Sequence, residues 1–157
     1  MKRGAGVVLL SGILLITGIA LIGCGHGEDV LTKAFDHEEY LLLRRDYYEF
    51  ELNSYYTEET KHTRLFKGFS GVQTLWEIEC EGEGVLHLDF LTSMKEGEFK
   101  TVLITPEKEI ILLFHDERQG RKEITLRDGT HHLKIVGREA SGTIAIELDL
   151  KKGQRAN

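Results

Sequence analysis

Ser141-Gly142-Thr143-Ile144-Ala145-Ile146-Glu147-Leu148-Asp149-Leu150 decides the fold class. Ile144, Ile146, Leu148 and Leu150 take every second position, with Ala145, Glu147 and Asp149 between them. Successive side chains of an extended strand point to opposite faces, so this stretch has one apolar face and one largely polar one. The same period runs through most of the chain before it. Leu86, Leu88 and Phe90 alternate with His87 and Asp89, and Phe99, Thr101 and Leu103 share a face. Trp76, Ile78 and Cys80 oppose Glu77, Glu79 and Glu81, while Tyr48, Phe50 and Leu52 alternate with Glu49 and Glu51. Ile110–Phe114 is a continuous apolar run. That is the pattern of a strand buried on both sides or central in a sandwich.

Turn signals punctuate these segments. Ser70-Gly71, Glu81-Gly82-Glu83-Gly84, Lys95-Glu96-Gly97, Thr105-Pro106-Glu107-Lys108, Gln119-Gly120 and Ser141-Gly142 each read as a break between strands, and Asp128-Gly129 reads as a hairpin. Thr57–Lys61 reads as a polar loop. Residues 30–45 are ambiguous, with a lean towards a strand over Tyr40–Arg44. Eight or nine strands without crossover helices predict an all-β fold, an antiparallel, jelly-roll-like β-sandwich over residues 37–150. A polar tail, 151–157, follows.

The N-terminal stretch is different. Lys2 and Arg3 precede an uncharged apolar run over residues 4–23, closed by Leu21, Ile22, Gly23 and Cys24. This resembles the signal peptide and lipobox of bacterial lipoproteins. The resemblance implies removal of residues 1–23, lipidation of Cys24, and a short tether over 24–36 holding the domain on the extracytoplasmic face of the cell membrane. Twenty residues at about 1.5 Å each also suffice to span a bilayer, so an uncleaved anchor is the competing reading. Lipid attachment by two or more chains is what stable anchoring needs.

A second resemblance, confined to strand and turn residues, lies in Gly97-Glu98-Phe99-Lys100-Thr101-Val102-Leu103-Ile104-Thr105-Pro106, in Asp128–Gly137 and in Ser141-Gly142-Thr143-Ile144. It is similar to small secreted or lipid-anchored β-sandwich domains of Gram-positive bacteria. That resemblance implies a topology and carries over no catalytic residue. Jelly-roll carbohydrate-binding modules share the general shape, an analogy at the level of fold.

Charge and chemistry narrow the function classes. The chain has 20 basic and 26 acidic residues; without Lys2 and Arg3 the mature chain has 18 and 26, a formal −8. Nucleic-acid binding, which needs phosphate neutralisation, is not expected. Cys80 alone remains beside Cys24, so no disulfide framework exists, and its place in the alternation makes it a small buried hydrophobe. His26, His37, His62, His87, His115, His131 and His132 have no metal-ligand spacing, although His87 with Asp89 or His115 with Asp116 could join a site built in space. No metal or other cofactor is expected. No nucleophile elbow or phosphate loop is present, and Glu38-Glu39, Glu58-Glu59 and Glu77/Glu79 read as solvated faces. The candidate ligand-stacking residues are Tyr47, Tyr48, Tyr55 and Tyr56, two doublets in which one ring of each should face in and the other out. The reading that follows is a non-catalytic binding module for an envelope glycan or protein. An accessory envelope lipoprotein is the alternative, and a hydrolase of envelope polymers comes last.

Overall fold

The computed structural model describes residues 26–116 and 118–152. The lipobox and Cys24 lie outside them. Two short helices, α1 (His26–Lys33) and α2 (Glu38–Leu41), precede seven strands: β1 (Tyr47–Glu49), β2 (Leu52–Thr57), β3 (Lys61–Cys80), β4 (Gly84–Ile104), β5 (Ile110–His115), β6 (Gln119–Leu126) and β7 (Gly129–Lys152). All pairings are antiparallel in one hydrogen-bonded sheet of order β1-β3-β7-β4-β5, with β2 also on β3 and β6 also on β4.

Three strands are far longer than one layer needs, and each bends midway. Register shifts fall between Phe66, Phe69 and Gly71 in β3 and between Met94, Glu96 and Glu98 in β4, against residues 137–142 of β7. Such bulges kink a strand and increase its twist. Gly97 has a positive φ, and a Cβ there would lie 2.3 Å from the Glu139 carbonyl oxygen. Only glycine fits this corner.

The bends fold the sheet into two layers. The first holds β2, residues 61–66, 142–152 and 84–94, and β6. The second holds β1, residues 69–80, 129–140 and 98–104, and β5. From residue 61 the chain alternates between layers except for the β4–β5 hairpin. That is the course of a jelly roll, with β1 and β2 as added edge strands. Between the layers lies one core, with Leu86, Leu88, Ile144 and Ile146 from the first and Phe99, Leu103, Leu133 and Ile135 from the second. Phe90 and Phe114 stack across it with centroids 4.0 Å apart.

The all-β sandwich expected from the alternation is present, and Cys80 is buried in its core. Several local expectations are corrected. Ser70-Gly71, Lys95–Gly97 and Ser141-Gly142 are corners within β3, β4 and β7, so the described residues form seven strands and not eight or nine. Asp128-Gly129 closes no hairpin: it carries the chain from β6 in one layer to β7 in the other, and Asp128 Oδ1 accepts a 2.8 Å hydrogen bond from the Gly82 amide. Ile110–Phe114 is an edge strand, with Leu112 exposed. Its run is continuous because a bulge between Thr101 and Val102 leaves Leu113 unpaired and lets Leu113 and Phe114 both enter the core.

The N-terminal segment differs most from expectation. No strand forms at Tyr40–Arg44; α2 begins with Glu38 and Glu39 and buries Leu41. Acids favour a helix start. Ala34 and Phe35, at the end of the stretch expected as tether, and Leu41 of α2 cover Val72, Val102, Ile104 and Val136 on the outer face of the second layer. Two lysines fasten this cover. Lys100 Nζ donates to the Phe35 carbonyl at 2.6 Å, and Lys134 Nζ to the Leu43 carbonyl at 3.0 Å. Asp46 accepts from the Thr74 amide and hydroxyl, both at 2.8 Å. Arg138 pairs with Asp36 and Glu98.

Candidate functional site

The first half of β3 turns Lys61, Thr63 and Leu65 outward and His62, Arg64 and Phe66 inward. Register with β2 places Thr57 opposite His62 and Tyr55 opposite Arg64. Because β2 is an edge strand, this side of the sandwich is open, and Tyr55 lies over Arg64 while remaining 62% exposed. From the second layer Gln73 faces the same space, and Phe50, between β1 and β2, completes the wall.

Arg64 is the centre of the site. The residue is 2% exposed, yet none of the described carboxylates pairs with it. Its Cζ lies 5.1 Å from the Phe50 ring centroid and 5.1 Å from that of Tyr55. Nη1 donates to Gln73 Oε1, and Nε has no partner among the described residues. Burial pulls the Arg64 pKa down, opposed by the Tyr48 and Tyr55 phenols. A guanidinium keeps its proton regardless, so a charge sits here among rings and an amide.

His62 lies beside it, 3% exposed. Its Nδ1 is 2.8 Å from Thr57 Oγ1, and Nε2 has no partner among the described residues. The ring lies nearly parallel to Tyr55 at 6.1 Å and edge-on to Trp76 at 5.8 Å. Burial, and then the neighbouring Arg64 charge, pushes its pKa down to about 4, so it is neutral at pH 7. Trp76 Nε1 donates to the Glu59 carbonyl at 3.1 Å. At the other end Tyr48 meets Phe50 edge-on at 5.7 Å, and Phe50 stacks on Phe69 at 4.6 Å, which ties the wall to the core.

Of the four tyrosines expected to stack on a ligand, the structure brings Tyr48 and Tyr55 to this edge. Tyr47, opposite Val72, is on the outer side of the second layer. Tyr56, opposite Thr63, is on the outer side of the first and donates to Glu58 at 2.7 Å. The expected in-and-out alternation within each doublet holds for direction. Burial does not follow it, and all four rings are exposed, because edge strands leave even inward side chains open to water. Arg64, His62, Gln73, Phe50 and Trp76 were not among the expected site residues. The available signal was Lys61-His62-Thr63-Arg64-Leu65-Phe66, an alternation with polar residues on both faces, one of which had to be inside.

The other expected places for chemistry stay apart. His87 lies 3.6 Å from Glu123 while Asp89 pairs with Arg121, and His115 lies 3.2 Å from Asp116. Among the described residues no three His, Cys, Asp or Glu side chains converge as a metal site would require. A cleft of about 1100 Å³ at the strand corners is lined by Glu49, Glu51, Glu96 and Glu139 with Lys67, which pairs with Glu51 at 2.7 Å.

No model of a known protein family matches the sequence, and no curated protein matches it. Among solved structures, one titled "CBM4 structure and function" superposes on 68% of this chain and 78% of its own, with a TM-score of 0.39 and 6% identity. A likeness of that size says nothing about a ligand.

Proposed function

We propose that this protein is a lipid-anchored, extracytoplasmic binding module that holds an envelope glycan at the open edge of its sandwich. The observation that carries the reading is the pair Tyr48 and Tyr55. Both rings are exposed, and they stand on a wall fixed from behind by Phe50, Arg64 and Gln73. Aromatic faces presented at low conformational cost are what a sugar ring stacks on, and neighbouring polar groups set its orientation. Leu21, Ile22, Gly23 and Cys24 supply the anchor in this reading.

Glycan-array binding of the detergent-extracted full chain tests the function. Tyr55→Ala should weaken the best saccharide by about tenfold, a loss of stacking worth about 1.4 kcal/mol. Unchanged binding would remove Tyr55 from the site. Mass spectrometry of the same material tests the anchor: residues 1–23 should be missing and Cys24 should carry lipid. An equally membrane-bound, lipid-free Cys24→Ala protein would refute it.

One observation favours a second reading, that of an accessory envelope protein packed against a partner. The outer face of the first layer is open, with Leu65 and Leu91 about half exposed beside Tyr56, Thr63 and Ala145. A stoichiometric protein partner in a pull-down, lost on Leu91→Asp, would support that role.

A further inference from the structure

We infer that the ligand at this edge carries an anionic group, a carboxylate or a phosphate borne on a sugar, and that it is received by the unpaired side of the Arg64 guanidinium. The inference rests on the binding-module reading and names its ligand class. Other cations drawn into the fold are answered by backbone carbonyls or carboxylates: Lys100 by a carbonyl, Lys134 by a carbonyl and Asp46, Arg138 by two carboxylates. Arg64 has an amide oxygen and two ring faces.

The chain has 26 acidic residues, and none of the described ones is spent on this charge. Leaving a buried charge without a counter-charge is costly unless something else supplies one. The free side is also directional. Nη1 is taken by Gln73, and Nε, on the side of the fork that carries one N–H of Nη2, is left with no partner among the described residues. Two parallel N–H groups there match the two oxygens of a carboxylate or phosphate.

Access runs past Tyr55, whose ring covers the guanidinium from an edge strand and is itself 62% exposed. A turn of that side chain uncovers Arg64 and leaves the ring free to stack on the sugar bearing the anion. The unpartnered His62 Nε2, beside Tyr55, supplies one more polar atom to the same ligand. The formal −6 of the chain repels anions at a distance, so this preference is made at contact.

Trp76, the only tryptophan, lies 5.8 Å from His62 and serves as the optical probe. The detergent-solubilised full chain is titrated with oligogalacturonate, with its methyl ester and with a phosphorylated galacto-oligosaccharide. An anionic probe should bind at least tenfold more tightly than the ester, and which one does so tells carboxylate from phosphate. Arg64→Met should abolish that preference, so that the anionic probe and the ester bind the variant equally. Gln73→Glu, nearly isosteric and placing a carboxylate on the guanidinium, should abolish it too, which keeps the test valid if Arg64→Met does not fold. Equal binding of ester and anionic probes by the parent protein would overturn the inference and leave the binding module standing. An intact preference in either folded variant would overturn Arg64 as the receiver. No binding of any saccharide would overturn both.

Discussion

The covered outer face of the second layer and the open edge of the sandwich handle buried charge in opposite ways. On the covered face Lys100 is half-buried and Lys134 buried, and each donates to a backbone carbonyl of the N-terminal segment. Asp46, 3.7 Å from Lys134, adds a counter-charge. Burial lowers the pKa of both lysines, and nearby acids (Asp36 and Glu38 for one, Asp46 for the other) oppose that fall. At the open edge Arg64 has no such oxygen from a described carboxylate or backbone. The first arrangement closes a structure. The second leaves one bonding direction unused, which is how a site differs from a joint.

The comparison breaks first at Phe35. Its ring is buried, with Lys100 Nζ 4.7 Å and Arg138 Cζ 5.0 Å from its centroid. Phe35→Ala should cost about 4 kcal/mol in urea unfolding, since it removes a core aromatic and opens the cover. A loss under about 1 kcal/mol would mean that the helical segment is not part of the folded domain. Next comes Asp46→Ala, which strands Lys134 beside one carbonyl and frees two donors of Thr74; the expected loss is about 3 kcal/mol.

His62 sharpens the contrast through pH. Its native pKa is about 4, against an ordinary value near 6.5 in the unfolded chain. Between those values the unfolded chain takes a proton that the native fold excludes. The stability tied to neutral His62 is therefore complete above about pH 6.5 and is lost as pH falls towards 4. The loss should reach about 2 kcal/mol by pH 5. His62→Phe should flatten the curve between pH 7 and 5 relative to the parent; parallel curves would show that His62 titrates normally. The smallest effect belongs to the open outer face of the first layer, where the Leu91 side chain stands largely in solvent. Leu91→Ser should leave the urea midpoint almost unmoved, a change of about 0.5 kcal/mol at most.

The core was legible because its signal is local. Leu86, Leu88, Phe90, Phe99, Leu103, Leu133, Ile135, Ile144 and Ile146 fall on inward positions by period alone, and all are buried. Tyr48 and Tyr55 were legible as candidates, although their doublet partners Tyr47 and Tyr56 were indistinguishable from them in sequence. Arg64 and Gln73 were not legible as a pair, since one stands in each layer and only folding of β3 at its corner brings them together.

Alternation at period two determined that this chain is an antiparallel β-sandwich and which side chains fill most of its core, because side-chain direction along a strand follows from backbone geometry. The tertiary structure decided the rest. A Gly-rich break reads the same whether it ends a strand or bends one, and only the partner strand, continuing across residues 66–71, 94–98 and 137–142, made these breaks corners. Likewise a polar residue on an inward face acquires its role from what the opposite layer brings to it. Lys134 met Asp46 and became a fastening; Arg64 met an amide and two rings and kept a free side.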